Sequence, residues 1–426
     1  MRELRDLLRR NRDFAALFWA MVISLAGDWF AFVAVSGLVT EVTGRPSLAA
    51  FIYAANALPV FFLAPIAGVL ADRLDRRRVL IAADLARVPV ALGLCAAAAW
   101  GSATLAIACS IGLALLSTFF DPVAAAALPN LVDERDLPLA QAASNGVWGA
   151  MLLVGAGLGG LIAATLGRQA AFVINAGSFV LSALLVARIT RPLQEARRSL
   201  GPAERAGLRA SLTELLVFVR ERPLVGALMS SKPGVGVANG IVGLLPGVAL
   251  GRFGAGDAGT GLLLGARGLG ALLGPLAAAR VRPWLRPGRS ILLVCGGSML
   301  LYSLTYALLP LAPTLASAAV LVLVAHLGGG AQWSLSTYGL QLVSPDEIRG
   351  RILSVDYGLA TLAIGLSAIG AGVGTEWIGP DRTIWVMTTL GVLYALTWSW
   401  WTRRSRVDEP PPELLKRSAS GPATPG

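Results

Sequence analysis

The chain has 426 residues, of which 55% are hydrophobic and 14% charged, with a mean hydropathy of +0.67. A soluble protein of this length carries about a quarter charged residues, so this composition excludes an ordinary soluble protein. The net charge of +11 would indicate a nucleic-acid partner in a soluble protein; arginines gathered in cytoplasmic loops explain it here, and we expect no such partner.

The N-terminal segment, residues 1–13, sets Leu4, Leu7 and Leu8 among arginines and acids, which predicts an amphipathic cytoplasmic helix. The apolar run that follows, 14–40, is too long for a signal peptide and has no convincing small-residue cleavage site. We therefore interpret it as a retained first membrane span.

Apolar runs along the rest of the chain predict an all-α polytopic membrane protein with twelve spans. The spans lie near 14–40, 47–70, 79–99, 103–127, 141–165 and 169–189, and then near 223–249, 258–280, 289–309, 313–338, 352–376 and 382–402. They divide into an N-terminal six-helix bundle (14–189), a cytoplasmic central loop (190–222), a C-terminal six-helix bundle (223–402) and a disordered tail (403–426). Helically spaced leucines predict a surface helix in the central loop: Leu208, Leu212, Leu215 and Leu216.

The basic residues test this layout, because cytoplasmic loops of membrane proteins are enriched in Lys and Arg. With the N-terminus inside, few of the 36 basic residues fall on outer loops. These are Arg45, Arg168, Arg252 and Arg382. We expect both termini on the cytoplasmic side of a bacterial inner membrane.

Residues 68–78, GVLADRLDRRR, place two acids and four arginines between long apolar runs, on the predicted cytoplasmic side. A weaker copy ends span eight, where Ala278 stands at the position of Asp72. Leu131-Val132 after span four and Leu342-Val343 after span ten repeat at nearly the same spacing. Such weak symmetry between halves is typical of transporters built from paired repeats.

The chain resembles the major facilitator superfamily over roughly residues 14–402. The inter-span signature of that superfamily is matched by Gly68, Leu70, Ala71, Asp72, Arg73, Arg76 and Arg77, with Asp75 in place of its second glycine. Segments 24–29 and 345–351 further resemble the branch that contains siderophore and macrolide exporters. The resemblance implies the major facilitator fold, two pseudo-symmetric six-helix bundles, and a protein that works as a monomer.

The resemblance also implies a cytoplasmic gate, formed by Gly68, Asp72, Arg73, Arg76 and Asp121, in which Asp121 would meet Arg76. A carboxylate beside arginines suits a gate because the cluster can form in one facing state and break in another. Span five resembles the glycine motif of drug and proton antiporters, with Ala156 in the usual proline position. Its glycines are Gly155, Gly157, Gly159 and Gly160.

Placing an ionisable residue within a bilayer costs free energy, so such residues usually face a cavity or one another. Asp28, Lys232 and His326 fall on spans that line the central cavity in this fold, by resemblance, although periodicity does not fix their faces. Asp28 could bind a proton or a cationic group, and Lys232 could bind an anionic group or pair with Asp28. Asp84 and Arg87 are predicted to pair locally. Further cavity candidates are Arg267, Asn56 and Asn239.

The combined interpretation is a secondary active exporter of an amphipathic small molecule, a drug, siderophore or secondary metabolite, with the proton as coupling ion. The chain lacks a phosphate-cradling Gly-x-x-x-x-Gly-Lys-Ser/Thr loop, so ATP is not expected to power it. Three scattered cysteines and one histidine give no metal-ligand spacing, and we expect neither metal nor cofactor. The alternatives are an uptake transporter, a membrane enzyme and a non-transporting sensor or scaffold. The sequence shows no cluster of catalytic residues that a membrane enzyme would need.

Overall fold

The computed structural model describes residues 2–194, 208–281 and 289–403 and, within them, all side chains except those at 64–73, 145, 208–212, 281, 289, 346 and 347. Every regular element in these ranges is helical, which confirms the all-α expectation. The predicted tail lies outside the described residues apart from Arg403, as does the 195–207 part of the central loop.

The N-terminal half consists of seven helices and one 3₁₀ turn, Glu134–Asp136, within the described residues. The helices are α1 (Arg2–Arg10), α2 (Arg12–Thr43), α3 (Ser47–Arg73), α4 (Arg76–Trp100), α5 (Ala103–Leu131), α6 (Leu137–Thr165) and α7 (Arg168–Ala187). Short polar caps start several of them: the side chain of Asn11 accepts from Phe14 N at 2.9 Å, and that of Asp75 accepts from Arg78 N at 2.9 Å. Gly44 ends α2 in the left-handed region, with φ of 64°.

The C-terminal half begins with α8 (Leu208–Glu221), at the predicted surface helix. The seventh span is broken into α9 (Pro223–Met229), α10 (Ser231–Asn239), α11 (Ile241–Gly247) and a π turn, Val248–Arg252. Pro233 lacks the N–H that would bond four residues back, which accounts for the break at Ser230. The later helices are α12 (Gly256–Val281), α13 (Arg289–Ala307), α14 (Leu315–Val343), α15 (Asp346–Ile378) and α16 (Pro380–Thr402).

Ten helical stretches among the described residues are long and apolar enough to cross a membrane, by length and composition. In α3 the shorter apolar stretch is Ser47–Leu63, and α16 is not among the ten. These two helices occupy the places predicted for spans two and twelve. The multi-pass architecture is therefore confirmed, and the number twelve stays a prediction.

The two halves meet along α6 with α12 and along α3 with α15. The α6–α12 contact depends on small residues: a Cβ at Gly160 would lie 2.8 Å from Gly261 Cα. In a lipid bilayer the hydrophobic effect does not hold helices together, so close van der Waals packing of this kind stabilises their association. At the other end of the N-terminal half, α1 packs Leu7, 1% exposed, into a second apolar cluster with Phe14 and Leu80.

Candidate functional site

Arg87 of α4 is the centre of a buried polar cluster in the N-terminal half, with 1% of its side chain exposed. Its Nη1 lies 3.4 Å from Asp84 Oδ1 and donates to Ser24 Oγ at 3.1 Å. The guanidinium carbon lies 5.1 Å and 5.2 Å from the ring centroids of Phe120 and Phe179. The predicted local pairing of Asp84 with Arg87 is confirmed, and it is fully desolvated.

Asp28 of α2 and Asp121 of α5 lie in the electrostatic field of the same guanidinium. Asp28 is half-buried and Asp121 is exposed, and Asp28 also interacts electrostatically with Asp84 and Asp121. In the parts of the chain that the structure describes, neither Asp28 nor Asp121 makes a hydrogen bond or ion pair. Asp84 thus contacts the guanidinium, and Asp28 and Asp121, from two other helices, interact with it electrostatically without a direct bond in the described ranges. We define Asp28, Asp84, Asp121 and Arg87 as the acid cluster.

Lys232 of α10 pairs with Asp356 of α15 in the C-terminal half, and not with Asp28. The Lys232 ammonium also lies 5.1 Å from the ring centroid of Trp333. Trp333 meets Tyr357 edge to face at 6.1 Å, and Tyr357 interacts electrostatically with Asp121 of the other half. Ring contacts therefore connect Lys232 to Trp333 and Trp333 to Tyr357, and the influence of Asp121 on Tyr357 is electrostatic only.

A hydrogen-bonded relay crosses between the halves at Arg267 of α12. Arg267 Nη2 donates to the Tyr53 hydroxyl at 3.0 Å, Tyr53 donates to Asn239 Oδ1 at 2.7 Å, and Asn239 Nδ2 donates to the Tyr302 hydroxyl at 2.9 Å. Arg267 and Asn239, predicted separately, are therefore brought together by Tyr53, which the sequence analysis did not single out.

The other two cavity candidates lie in ordinary packing environments. His326 is buried beside Tyr302, with its Nε2 3.0 Å from the Tyr306 hydroxyl. Asn56 is exposed, and its Nδ2 donates to Ile52 O of its own helix at 2.9 Å. Neither residue joins the acid cluster.

Ion pairs between the halves lie at the side predicted to be outer. Arg45 Nη2 lies 3.0 Å from Glu376 Oε2, and Arg168 Nε lies 2.7 Å from Asp257 Oδ2. Arg168 also pairs with Glu41 of its own half at 2.7 Å. These pairs are not predicted from the sequence, although each joins an acid and a base that lie near the ends of predicted spans. We define Arg45–Glu376 and Arg168–Asp257 as the outer pairs.

The predicted cytoplasmic gate is described in part. Arg76 Nη1 donates to Ala126 O at 2.7 Å and to Leu193 O at 3.0 Å, which ties α4 to α5 and to the segment after α7. Asp121 lies with Asp28 and Arg87, and no bond from it to Arg76 is found in the described residues. Gly68, Asp72 and Arg73 lie in the stretch of α3 whose side chains are outside the described residues, so their role stays a prediction.

The glycine motif of α6 separates into contacting and open positions. A Cβ at Gly159 would lie 2.8 Å from Phe30 Cα, one at Gly160 would lie 2.5 Å from Asp257 O, and one at Gly155 would lie 3.2 Å from Trp29 Cβ. At Gly157 a Cβ would meet nothing within 4 Å. The motif therefore serves helix contact at Gly155, Gly159 and Gly160.

Sequence comparison identifies relatives that span most of the chain. The family model described as transmembrane secretion effector matches residues 8–410. An uncharacterized MFS-type transporter, YfiS of Bacillus subtilis (strain 168), is 27% identical over 92% of this chain and 94% of its own length. The multidrug efflux pump Tap of Mycolicibacterium fortuitum is 29% identical over 86% of this chain and 90% of its own.

Solved structures share the fold at low sequence identity. A bacterial homolog of the human lysosomal transporter Spinster superposes with a TM-score of 0.72 at 13% identity, over 93% of this chain and 99% of that one. A D-xylose–proton symporter superposes with a TM-score of 0.66 at 16% identity, over 93% of this chain and 98% of that one. These likenesses establish the architecture and leave the chemistry to the residues described above.

Proposed function

The chain belongs to the transmembrane secretion effector family of major facilitator transporters, and from this premise we propose that it is a proton-coupled exporter of an amphipathic small molecule. Efflux is the activity named for its relative Tap, which is aligned over most of both chains. We place the protein in the bacterial inner membrane, as a monomer with both termini in the cytoplasm.

The acid cluster is the observation that carries the proton-coupling part of this proposal. Arg87 balances one carboxylate charge, whereas Asp28, Asp84 and Asp121 supply three. Carboxylates that interact electrostatically with one another disfavour joint ionisation, so the cluster is suited to hold protons. Asp28 and Asp121 are accessible, which allows protons to enter and leave.

In the proposed function the acid cluster operates within an alternating-access cycle. One half would rock against the other around the central residues, as in transporters of paired repeats. The outer pairs join the halves on one side and so would hold that side closed. Opening would break them and re-form contacts on the cytoplasmic side, where we place the gate of Gly68, Asp72, Arg73, Arg76 and Asp121.

Efflux from cells loaded with a fluorescent dye tests the function. We expect faster dye loss from cells that overproduce the protein than from deletion cells, and we expect a protonophore to abolish the difference. Everted vesicles should accumulate the dye when a proton gradient is imposed. Efflux unchanged by the protonophore would defeat proton coupling, and accumulation by whole cells would indicate uptake.

A further inference from the structure

The guanidinium of Arg267 lies in a box of aromatic rings between the two halves. Its carbon is 5.4 Å from the ring centroid of Tyr53, 5.6 Å from that of Trp148 and 6.0 Å from that of Trp29. These rings come from α3, α6 and α2, all in the N-terminal half, whereas Arg267 comes from α12. We define the four residues as the arginine box. We infer that it binds an anionic group, a carboxylate, sulfonate or phosphate, of the transported molecule.

The unused hydrogen-bonding groups of the box are donors. Arg267 is 5% exposed, and its Nε and Nη1 are buried with no partner among the described residues. Trp29 Nε1 is likewise buried, and it has no partner in the part of the chain that the structure describes. Buried polar groups are normally satisfied, so the orphan donors of Arg267, with a further orphan donor on the neighbouring Trp29 ring, indicate a missing acceptor. The oxygens of an anionic group are acceptors for donors of this kind.

The charge of the box is also uncompensated. Arginine stays protonated in proteins, and burying its charge without a counter-ion is costly. In the described part of the chain no carboxylate pairs with Arg267, whereas Arg87, Arg168 and Lys232 each have one. Tyr53 does not fill this role, because its hydroxyl accepts from Arg267 and already donates to Asn239. The compensating charge must come from outside these residues.

The walls of the box indicate what the anion is attached to. Trp148 is 47% exposed, so this wall of the box can be contacted by a molecule from outside the protein interior. Aromatic rings attract the guanidinium electrostatically and also offer apolar surface to a ligand body. A molecule with an anionic group on a planar apolar body would satisfy both. This inference rests on the proposed transport function and narrows its substrate class.

Equilibrium binding to the purified full chain in lipid nanodiscs tests the inference without any gradient. The probes are 2-naphthoate, 2-naphthalenesulfonate and 2-naphthyl phosphate, with methyl 2-naphthoate and 2-naphthylmethylamine as uncharged and cationic counterparts. Inorganic phosphate tests for a free anion. We expect anionic probes to bind, and Arg267→Gln to weaken their binding about tenfold or more while the ester and the amine are unaffected.

Matched variants separate binding from folding. Arg267→Lys keeps the charge and should retain part of the anion affinity. Arg135→Gln removes an arginine that is 74% exposed on the cytoplasmic side and should bind like the wild type. If Arg267→Gln does not fold, Trp148→Leu serves in its place, because it removes one aromatic wall of the box. It should lower the affinity for the naphthyl anions and should not raise the affinity for the ester.

Two outcomes would overturn the inference. One is equal affinity of wild type and the Arg267 variants for every anionic probe, including no binding to either. The other is Arg267-dependent binding of inorganic phosphate with no gain from the naphthyl body, which would make the box a site for a free anion. Charge-selective binding together with absent gradient-driven efflux would instead defeat the proposed function and leave the box as a binding site.

Discussion

Lys232 of α10 and Asp356 of α15 form an ion pair in which 3% and 1% of the side chains are exposed. The pair joins the broken seventh span to α15, at the place of the predicted eleventh span. Within the ranges that the structure describes, Asp356 Oδ1 has no further partner, so the ammonium is the main compensation of that carboxylate. Each charge is therefore tolerated in the bundle because of the other.

Removal of one partner should destabilise the protein more than removal of both. Asp356→Asn leaves the Lys232 ammonium buried without a counter-ion, and we expect it to lower the free energy of unfolding by about 3–5 kcal/mol. Lys232→Met with Asp356→Leu removes both charges and should recover most of that loss. Denaturant unfolding in detergent micelles measures the three proteins together with the wild type.

The control for this prediction is Asp381→Asn. Asp381 pairs with Arg252 at 3.2 Å, but its side chain is 52% exposed, so we expect a change of less than about 1 kcal/mol. A double variant no more stable than Asp356→Asn would contradict the prediction.

Neutralisation of Asp28 should uncouple transport from the proton gradient. Asp28 is an accessible member of the acid cluster and makes no hydrogen bond among the described residues, so Asp28→Asn removes a proton site and little packing. We expect gradient-driven accumulation in everted vesicles to fall about tenfold or more, the scale of a lost charged interaction. Asp133→Asn, at an exposed turn between α5 and α6, should transport normally. Full coupled transport by Asp28→Asn would clear Asp28 of this role.

The sequence predicts the helices well because a bilayer imposes a simple rule on them. Long apolar runs and the one-sided arginines place α2 and α4 within a few residues of their predicted ends. Local geometry is equally predictable: Asp84 and Arg87 pair because residues three apart share a helix face.

Long-range pairing is what the sequence does not predict. Lys232 had Asp28 as a conceivable partner, and Asp356 lies 124 positions away on another helix. Arg168 and Asp257 are 89 positions apart and meet because α7 and α12 begin at the same side. The rotation of each helix about its axis and its packing against neighbours determine these partners. A membrane helix that is apolar on all of its faces gives no sequence signal of that rotation.

Loss of an outer pair should favour the state that is open to the outside. Arg168 Nε lies 2.7 Å from Asp257 Oδ2, and the two side chains are 18% and 7% exposed, so Arg168→Gln removes a partly desolvated link between the halves. We expect a shift of about 1–3 kcal/mol toward the open state. Spin labels at Val42 and Arg382, in a background without the three native cysteines, should report longer distances.

An ion pair within one half provides the comparison. Arg252 and Asp381 lie on the same side and both belong to the C-terminal half. Arg252→Gln should therefore leave the distance distribution unchanged. Equal distributions for Arg168→Gln and the wild type would contradict the assignment of Arg168–Asp257 as a closing contact.

Two glycines of α6, three residues apart, should respond differently to the same added methyl group. At Gly160 a Cβ would lie 2.5 Å from Asp257 O and 2.8 Å from Gly261 Cα, both backbone atoms that cannot rotate away. Gly160→Ala must therefore push α6 from α12, and we expect a loss of about 1–3 kcal/mol in the free energy of unfolding. At Gly157 a Cβ would meet nothing within 4 Å, so Gly157→Ala should be neutral or slightly stabilising. Thermal unfolding and dye efflux of the two variants, side by side, measure the difference. Equal effects would show that the glycines act through helix propensity and not through contact between the halves.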